Sequence, residues 1–143
     1  AKEIREAYMA AIPGIRLLSD ALRRRGRNGL PLKTWGGRLY LPEPPKIVNG
    51  RMMDFLYKLL NYLIQPSAAD LTKQTIVEWK SEYGSDGFLT ATLYDEINLS
   101  VPEAGVSDAM SHLKEVMNRD RLDVPMRSEG FVGPNFGELC AYE

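Results

Sequence analysis

Leu93-Tyr94-Asp95-Glu96-Ile97 sets two adjacent carboxylates between two short apolar runs. Phe88-Leu89-Thr90-Ala91-Thr92-Leu93 precedes the acids and Ile97-Asn98-Leu99-Ser100-Val101 follows them. Such runs predict the arms of a β-hairpin with the acids at its tip. Tight hairpins ordinarily turn on Asn-Gly, Asp-Gly or Gly-X, whose residues tolerate φ > 0. Asp-Glu supplies no glycine. A turn that breaks the local rule and concentrates negative charge is a candidate functional site. Its natural chemistry is divalent-metal ligation, because Mg²⁺ takes carboxylate oxygens together with substrate phosphates.

Two further sets of side chains could meet a polyanion. Tyr57, Asn61 and Gln65 lie four apart and form one stripe on a predicted helix. Asn and Gln carry donors and acceptors that can read base edges or bridge to sugars, although an ordinary exposed helix face has the same spacing. Arg23-Arg24-Arg25-Gly26-Arg27 closes another predicted helix. Arginines there suit the helix dipole and glycine is a stop signal; the same cluster could grip phosphates.

The elements that must position these groups follow from periodicity and breakers. Ile4, Ala7, Tyr8, Ala11, Ile15, Leu18 and Leu22 recur at helical spacing over about 2–25, and Pro13-Gly14 divides them into two helices. Leu32 to Leu41 predicts a hairpin turning on Gly36-Gly37. Pro42 to Asn49 reads as a loop, and Gly50 leads into a long helix from about 51 to 82 with Leu56, Leu59, Leu60, Leu63, Ile64 and Ala68 on its apolar side. Pro66 should kink or restart that helix. A helix to about 118 begins at Pro102-Glu103. Residues 124–132 read as extended and the tail from Phe136 as short and irregular. Helices and hairpins in this order give an α+β layout, not alternating βαβ.

With 143 residues, 44% of them hydrophobic, the chain can bury one domain's core. No apolar run nears the roughly 18 residues that span a bilayer, so no membrane partner is expected. One cysteine, Cys140, excludes an internal disulfide and suits a reducing cytoplasm. With one His as well, no Cys/His metal cluster can form. His112 on an amphipathic helix is read as a surface or packing residue, and Trp35 and Trp79 as hairpin or core packing. Net charge is −1, but residues 1–50 carry ten Lys and Arg against four Asp and Glu, and the remainder eight against fifteen. A basic front and an acidic back fit polyanion contact at one end and metal ligation at the other; uneven surface charge would produce the same split.

Several motifs occur in a fixed order. They are Gly37-Arg38-Leu39-Tyr40-Leu41-Pro42, Asn61-x-x-x-Gln65-x-Ser67-Ala68-Ala69-Asp70-x-x-Lys73, Tyr94-Asp95-Glu96, Leu122-Asp123-Val124-Pro125 and Gly133-Pro134-Asn135-Phe136-Gly137. Over nearly its whole length the chain resembles family A DNA polymerases, most of all their bacteriophage branch. Pro13-Gly14-Ile15 is similar to the segment leading out of the fingers.

The resemblance implies the end of the fingers to about residue 30 and the C-terminal part of the palm over about 31–143. It implies a DNA-directed DNA polymerase of DNA replication. Asp95 would be a metal-binding aspartate, with Glu96 in support and Tyr94 standing where histidine is usual beside the primer terminus. Asn61 and Gln65 would approach the minor groove and Arg38 the DNA backbone. Lys58 is the only base near position 57, where arginine is common, and Pro66 replaces a usual glycine. The implied cofactor is Mg²⁺ in a two-metal site. The implied partners are primer–template DNA, a dNTP and the N-terminal remainder of the polymerase, in the cytoplasm, or the host cytoplasm for a viral enzyme.

No Asp-Tyr-Ser-x-Ile-Glu-like or Lys-x-x-x-Phe-Gly-like segment occurs in these residues. A second aspartate and the nucleotide-gripping helix must therefore come from elsewhere. The Ala1 start fits either a removed initiator or a piece cut from something longer; the resemblance implies a split subunit or an excised fragment, inactive alone. A different class of reading is a polymerase-derived DNA-binding or assembly subunit without catalytic duty. A reverse-transcriptase-like palm also carries an acidic hairpin, but the other motifs argue against it.

Overall fold

The computed structural model describes residues 2–142. Helices and small antiparallel hairpins make it α+β, as expected. It divides into two compact units, residues 1–70 and 71–143.

The first unit opens with α1 (Lys2–Ala11) and α2 (Pro13–Arg27). Pro13 sits at the start of α2, where its missing N–H is needed by no carbonyl. Next comes β1 (Leu32–Lys33) paired with β2 (Leu39–Tyr40), Leu32 opposite Tyr40. The next segment corrects the sequence reading. Residues 46–53 are neither plain loop nor helix but a hairpin of β3 (Lys46–Val48) and β4 (Arg51–Met53). Asn49 and Gly50 form its turn at φ 50° and 74°. Two left-handed residues in succession are what a type I′ turn demands, and Asn-Gly is its preferred pair. The long helix therefore starts later than expected: one 3₁₀ turn (Leu56–Lys58), then α3 (Leu59–Tyr83), which runs through Pro66 and spans the division between the units.

Leu22, Leu32 and Leu59 form the core of the first unit, with Tyr40, Leu56, Leu60, Tyr62 and Leu63 packed around them. The polar anchor is Asp70, whose side chain is only 8% exposed. Thr34 Oγ1 donates to its carboxylate at 2.5 Å and the Gly36 N–H at 2.9 Å, and Arg38 pairs with it. A Cβ on Gly36 would stand 2.6 Å from the Asp70 carboxyl carbon, so only glycine lets the turn approach this closely. The Trp35 N–H donates to Ser67 Oγ at 3.0 Å, and Arg38 Nη2 to the Pro66 carbonyl at 2.9 Å. The β1–β2 turn is thus bolted onto α3.

The second unit holds the rest of α3, then β5 (Phe88–Leu93), β6 (Glu96–Ser100), a 3₁₀ turn (Glu103–Gly105) and α4 (Val106–Met117). Trp79, Leu113 and Val116 are its core, with Tyr83, Ile97, Leu99 and Met117 against them. Arg119 forms a two-pronged pair with Glu82 at 2.7 and 2.6 Å, and also reaches Glu78 and Glu115. Arg121 pairs with Glu78 at 2.5 Å. These bonds tie the end of α4 to α3.

The tail is a second correction. Only β7 (Gly130–Val132) of the expected extended stretch is strand, and it pairs with β8 (Cys140–Tyr142) in what was read as an irregular end. Asn135 reverses the chain between them, its Oδ1 accepting from the Gly137 N–H at 2.9 Å and its carbonyl from Glu138 at 3.2 Å.

The Thr34 hydroxyl, then the Arg38 guanidinium and Gly36 N–H, hold Asp70 below the usual carboxylate range against the opposing effect of burial. A depressed folded pKa means the stabilisation is full at neutral pH and is lost as pH falls through that pKa. Asp70→Ala should therefore lower stability in urea by about 2–3 kcal/mol at pH 7, since it strands a buried hydroxyl and N–H. The gap from wild type should narrow as pH drops below about 4.

Candidate functional site

In the second unit, the β5–β6 hairpin places the acids. Leu93 pairs with Glu96, so the two-residue turn is Tyr94-Asp95 and Glu96 is the first residue of β6. The sequence reading put Asp-Glu at the tip; the register moves the turn one residue earlier. Tyr94 takes the left-handed conformation that glycine would normally supply, with φ 56°. Among described non-glycine residues only Asn49 and Tyr94 have positive φ, so Asp95 lacks the second positive angle of a type I′ turn. Tyrosine there stores about 1–2 kcal/mol of strain. Tyr94 is 95% exposed, and both acids are exposed beside it.

One arm alone anchors the hairpin. Ile97 and Leu99 of β6 point to the Trp79–Leu113–Val116 core, one face of a period-two pattern. All six residues of β5 are exposed, Phe88 at 80%. The register shifts between Leu89 and Ala91, a bulge at Thr90, whose hydroxyl donates to the Asn98 carbonyl at 3.0 Å. Among the described residues β5 pairs only with β6, and its other edge carries no strand. Among the described residues, the buried Asn98 Nδ2 has no hydrogen-bond partner.

Exposed carboxylate oxygens suit a hard cation such as Mg²⁺. Yet no group of three or more His, Cys, Asp or Glu side chains that could hold a metal exists among the described residues. A cation held by Asp95 and Glu96 would need further ligands from outside this pair.

In the first unit, Asn61 and Gln65 are exposed on α3 and joined to each other, Nδ2 to Oε1 at 3.2 Å. Tyr57, at the head of the stripe, lies in the 3₁₀ turn and is 59% exposed. Arg38 and Lys58 have intramolecular partners. Arg38 is held by Asp70 and the Pro66 carbonyl, with its side chain 41% exposed. Lys58 Nζ pairs with Glu43 at 2.8 Å and lies 4.6 Å from the Phe55 ring centre. Lys58, then the Tyr62 hydroxyl at 2.5 Å, keep the Glu43 carboxyl below its ordinary range. The sequence reading missed these pairs because the partners lie 15 to 32 residues apart. It also missed that His112 stacks on Tyr83 with ring centres 4.0 Å apart, its Nδ1 2.6 Å from an Asp86 oxygen.

The sequence matches the model of DNA polymerase family A over residues 1–138. It is 31% identical over 134 residues to the DNA polymerase of Mycobacterium phage L5, covering 93% of this chain and 21% of that protein. It is 31% identical to DNA polymerase I of Pseudomonas aeruginosa, covering 93% of this chain and 15% of that enzyme. With DNA polymerase I of Chloroflexus aurantiacus the identity is 31%, over 97% and 15% of the two chains. The chain belongs to DNA polymerase family A. It spans about a fifth or less of the length of these relatives.

The strain at Tyr94 is open to direct measurement. Tyr94→Asn, which tolerates positive φ, should raise stability in urea by about 0.5–1 kcal/mol, and β-branched Tyr94→Val should lower it by about 1 kcal/mol.

Proposed function

We propose that this chain is the C-terminal palm segment of a DNA-directed DNA polymerase, with residues to about 30 closing the fingers. In this reading it supplies Asp95 as a metal ligand, with Glu96 in support, for nucleotidyl transfer to a primer. The observation that carries the reading is the strained hairpin tip. A tyrosine forced into left-handed backbone puts Asp95 in the turn with Glu96 next to it, on an arm anchored through Ile97 and Leu99. Family membership supports it further. The missing ligand would be an aspartate from the N-terminal part of the polymerase, and the open edge of β5 is a natural place for a strand from that part.

Mg²⁺ held there would lower the pKa of the primer hydroxyl and offset charge on the transferring phosphate. The chain's own residues bind and orient. Asn61 and Gln65 present amide donors and acceptors to the minor groove of the primer–template. Tyr94 stands against the primer end. Arg38 and Lys58 would approach the backbone with the outward parts of side chains already paired to Asp70 and Glu43.

The isolated chain should extend no primer. Mixed with the matching N-terminal part it should give Mg²⁺-dependent extension. Asp95→Ala should cut extension in that mixture at least about 100-fold, since several kcal/mol of charge stabilisation is lost, while primer–template affinity stays near wild type. Normal extension by the variant would sink the ligand assignment and favour a DNA-binding subunit without catalytic duty. Asn61→Ala combined with Gln65→Ala should weaken binding about tenfold.

A further inference from the structure

The arginines of α2 are the largest concentration of cations outside the site already described. The helix carries Arg16, Arg23, Arg24, Arg25 and Arg27 against one acid, Asp20. Arg25 is occupied, its Nε donating to the Pro31 carbonyl at 2.7 Å. Arg23, Arg24 and Arg27 have no ion pair or side-chain hydrogen bond among the described residues. Two open depressions meet on this helix. One, of about 380 Å³, is lined by Leu17, Asp20, Arg23, Arg24 and Arg27. The other, of about 220 Å³, is lined by Arg23, Arg27, Asp54, Leu56 and Tyr57.

Arg23 and Arg27 are one turn apart on one helix face and belong to both depressions. The second depression also contains Tyr57, the first residue of the Tyr57–Asn61–Gln65 stripe. The basic ledge is therefore continuous with the face assigned to the primer–template. Unpaired guanidinium forks match phosphate oxygens, and a neighbouring tyrosine hydroxyl can add a further donor.

We infer that Arg23 and Arg27 form a phosphate-binding ledge for the sugar–phosphate backbone of duplex DNA, extending the Asn61–Gln65 face toward α2. The inference rests on the reading of that face as a DNA contact. Asp20 and Asp54 also line the two depressions, so the ledge is not uniformly basic, and Arg23 and Arg27 are the cations common to both. The competing role for these side chains is structural, since cations in the last turn of a helix favour its dipole.

The experiment is fluorescence anisotropy of the full chain with a labelled primer–template duplex across a potassium chloride series. For two lost phosphate contacts, Arg23→Ala with Arg27→Ala should weaken binding at least tenfold at low salt and flatten the slope of log affinity against log salt by about 2. Arg23→Lys with Arg27→Lys should keep most of that slope, and all variants should keep the wild-type circular dichroism. An unchanged slope with a lowered melting temperature overturns the ledge in favour of the helix-end role. Wild-type affinity in the alanine pair, while Asn61→Ala with Gln65→Ala still weakens binding, overturns the ledge and leaves the DNA-contact reading standing. Absence of duplex binding by the unaltered chain overturns both.

Discussion

A buried carboxylate must be answered from every side, and Asp70 sets that demand for the first half of this molecule. A charge so enclosed costs several kcal/mol if left unpaired. The chain meets it with a hydroxyl from Thr34, an amide from Gly36 and the Arg38 guanidinium, all from one hairpin turn. Two of these partners have a second duty. Arg38 also takes the Pro66 carbonyl, and the Thr34 hydroxyl accepts the Arg38 N–H at 3.1 Å. The β1–β2 turn is thereby held against the part of α3 that follows Asn61 and Gln65. This geometry is all or nothing: a side chain at Gly36 would displace the carboxylate and release the turn from the helix.

Charges in the two units divide by task. In the second unit Arg119 and Arg121 are consumed by Glu78, Glu82 and Glu115. Arg119 is held well above its ordinary pKa, first by Glu82, so it is a fixed cation binding two helices together. Asp95 and Glu96, by contrast, have no ion-pair partner among the described residues, and neither have Arg23 and Arg27. Paired charges hold elements together, while unpaired ones stay available to a ligand.

Local rules carried the reading of the chain wherever the determinants were local. Pro13 marked the break between α1 and α2, Gly36-Gly37 marked a turn, and two short apolar runs marked β5 and β6. Asn49-Gly50 was just as plain a hairpin signal, but the apolar residues Met52, Met53, Phe55 and Leu56 merged with the helix pattern beyond them and hid β4. The β8 strand was missed because its pairing with β7 depends on the reversal at Asn135, not on its own short sequence. The acidic tip was legible as a place, yet its register was not. Which residue occupies the strained position depends on pairing Leu93 with Glu96. The Asp70 anchor could not be read at all, because its partners lie more than thirty residues away and only the fold brings them together.

The open edge of β5 affects how the chain behaves in solution. Its amides and carbonyls face outward beside Phe88, Leu89 and Leu93, all exposed. Such an edge is a template for whatever strand arrives first, and the strand most abundant in a purified sample is β5 of another copy. A net charge of −1 supplies little repulsion to keep copies apart. Raising the concentration then favours pairing of copies through that edge. The same edge that would complete a sheet in a larger assembly favours self-association of the chain kept by itself, and colloidal stability becomes a measure of whether that edge is covered.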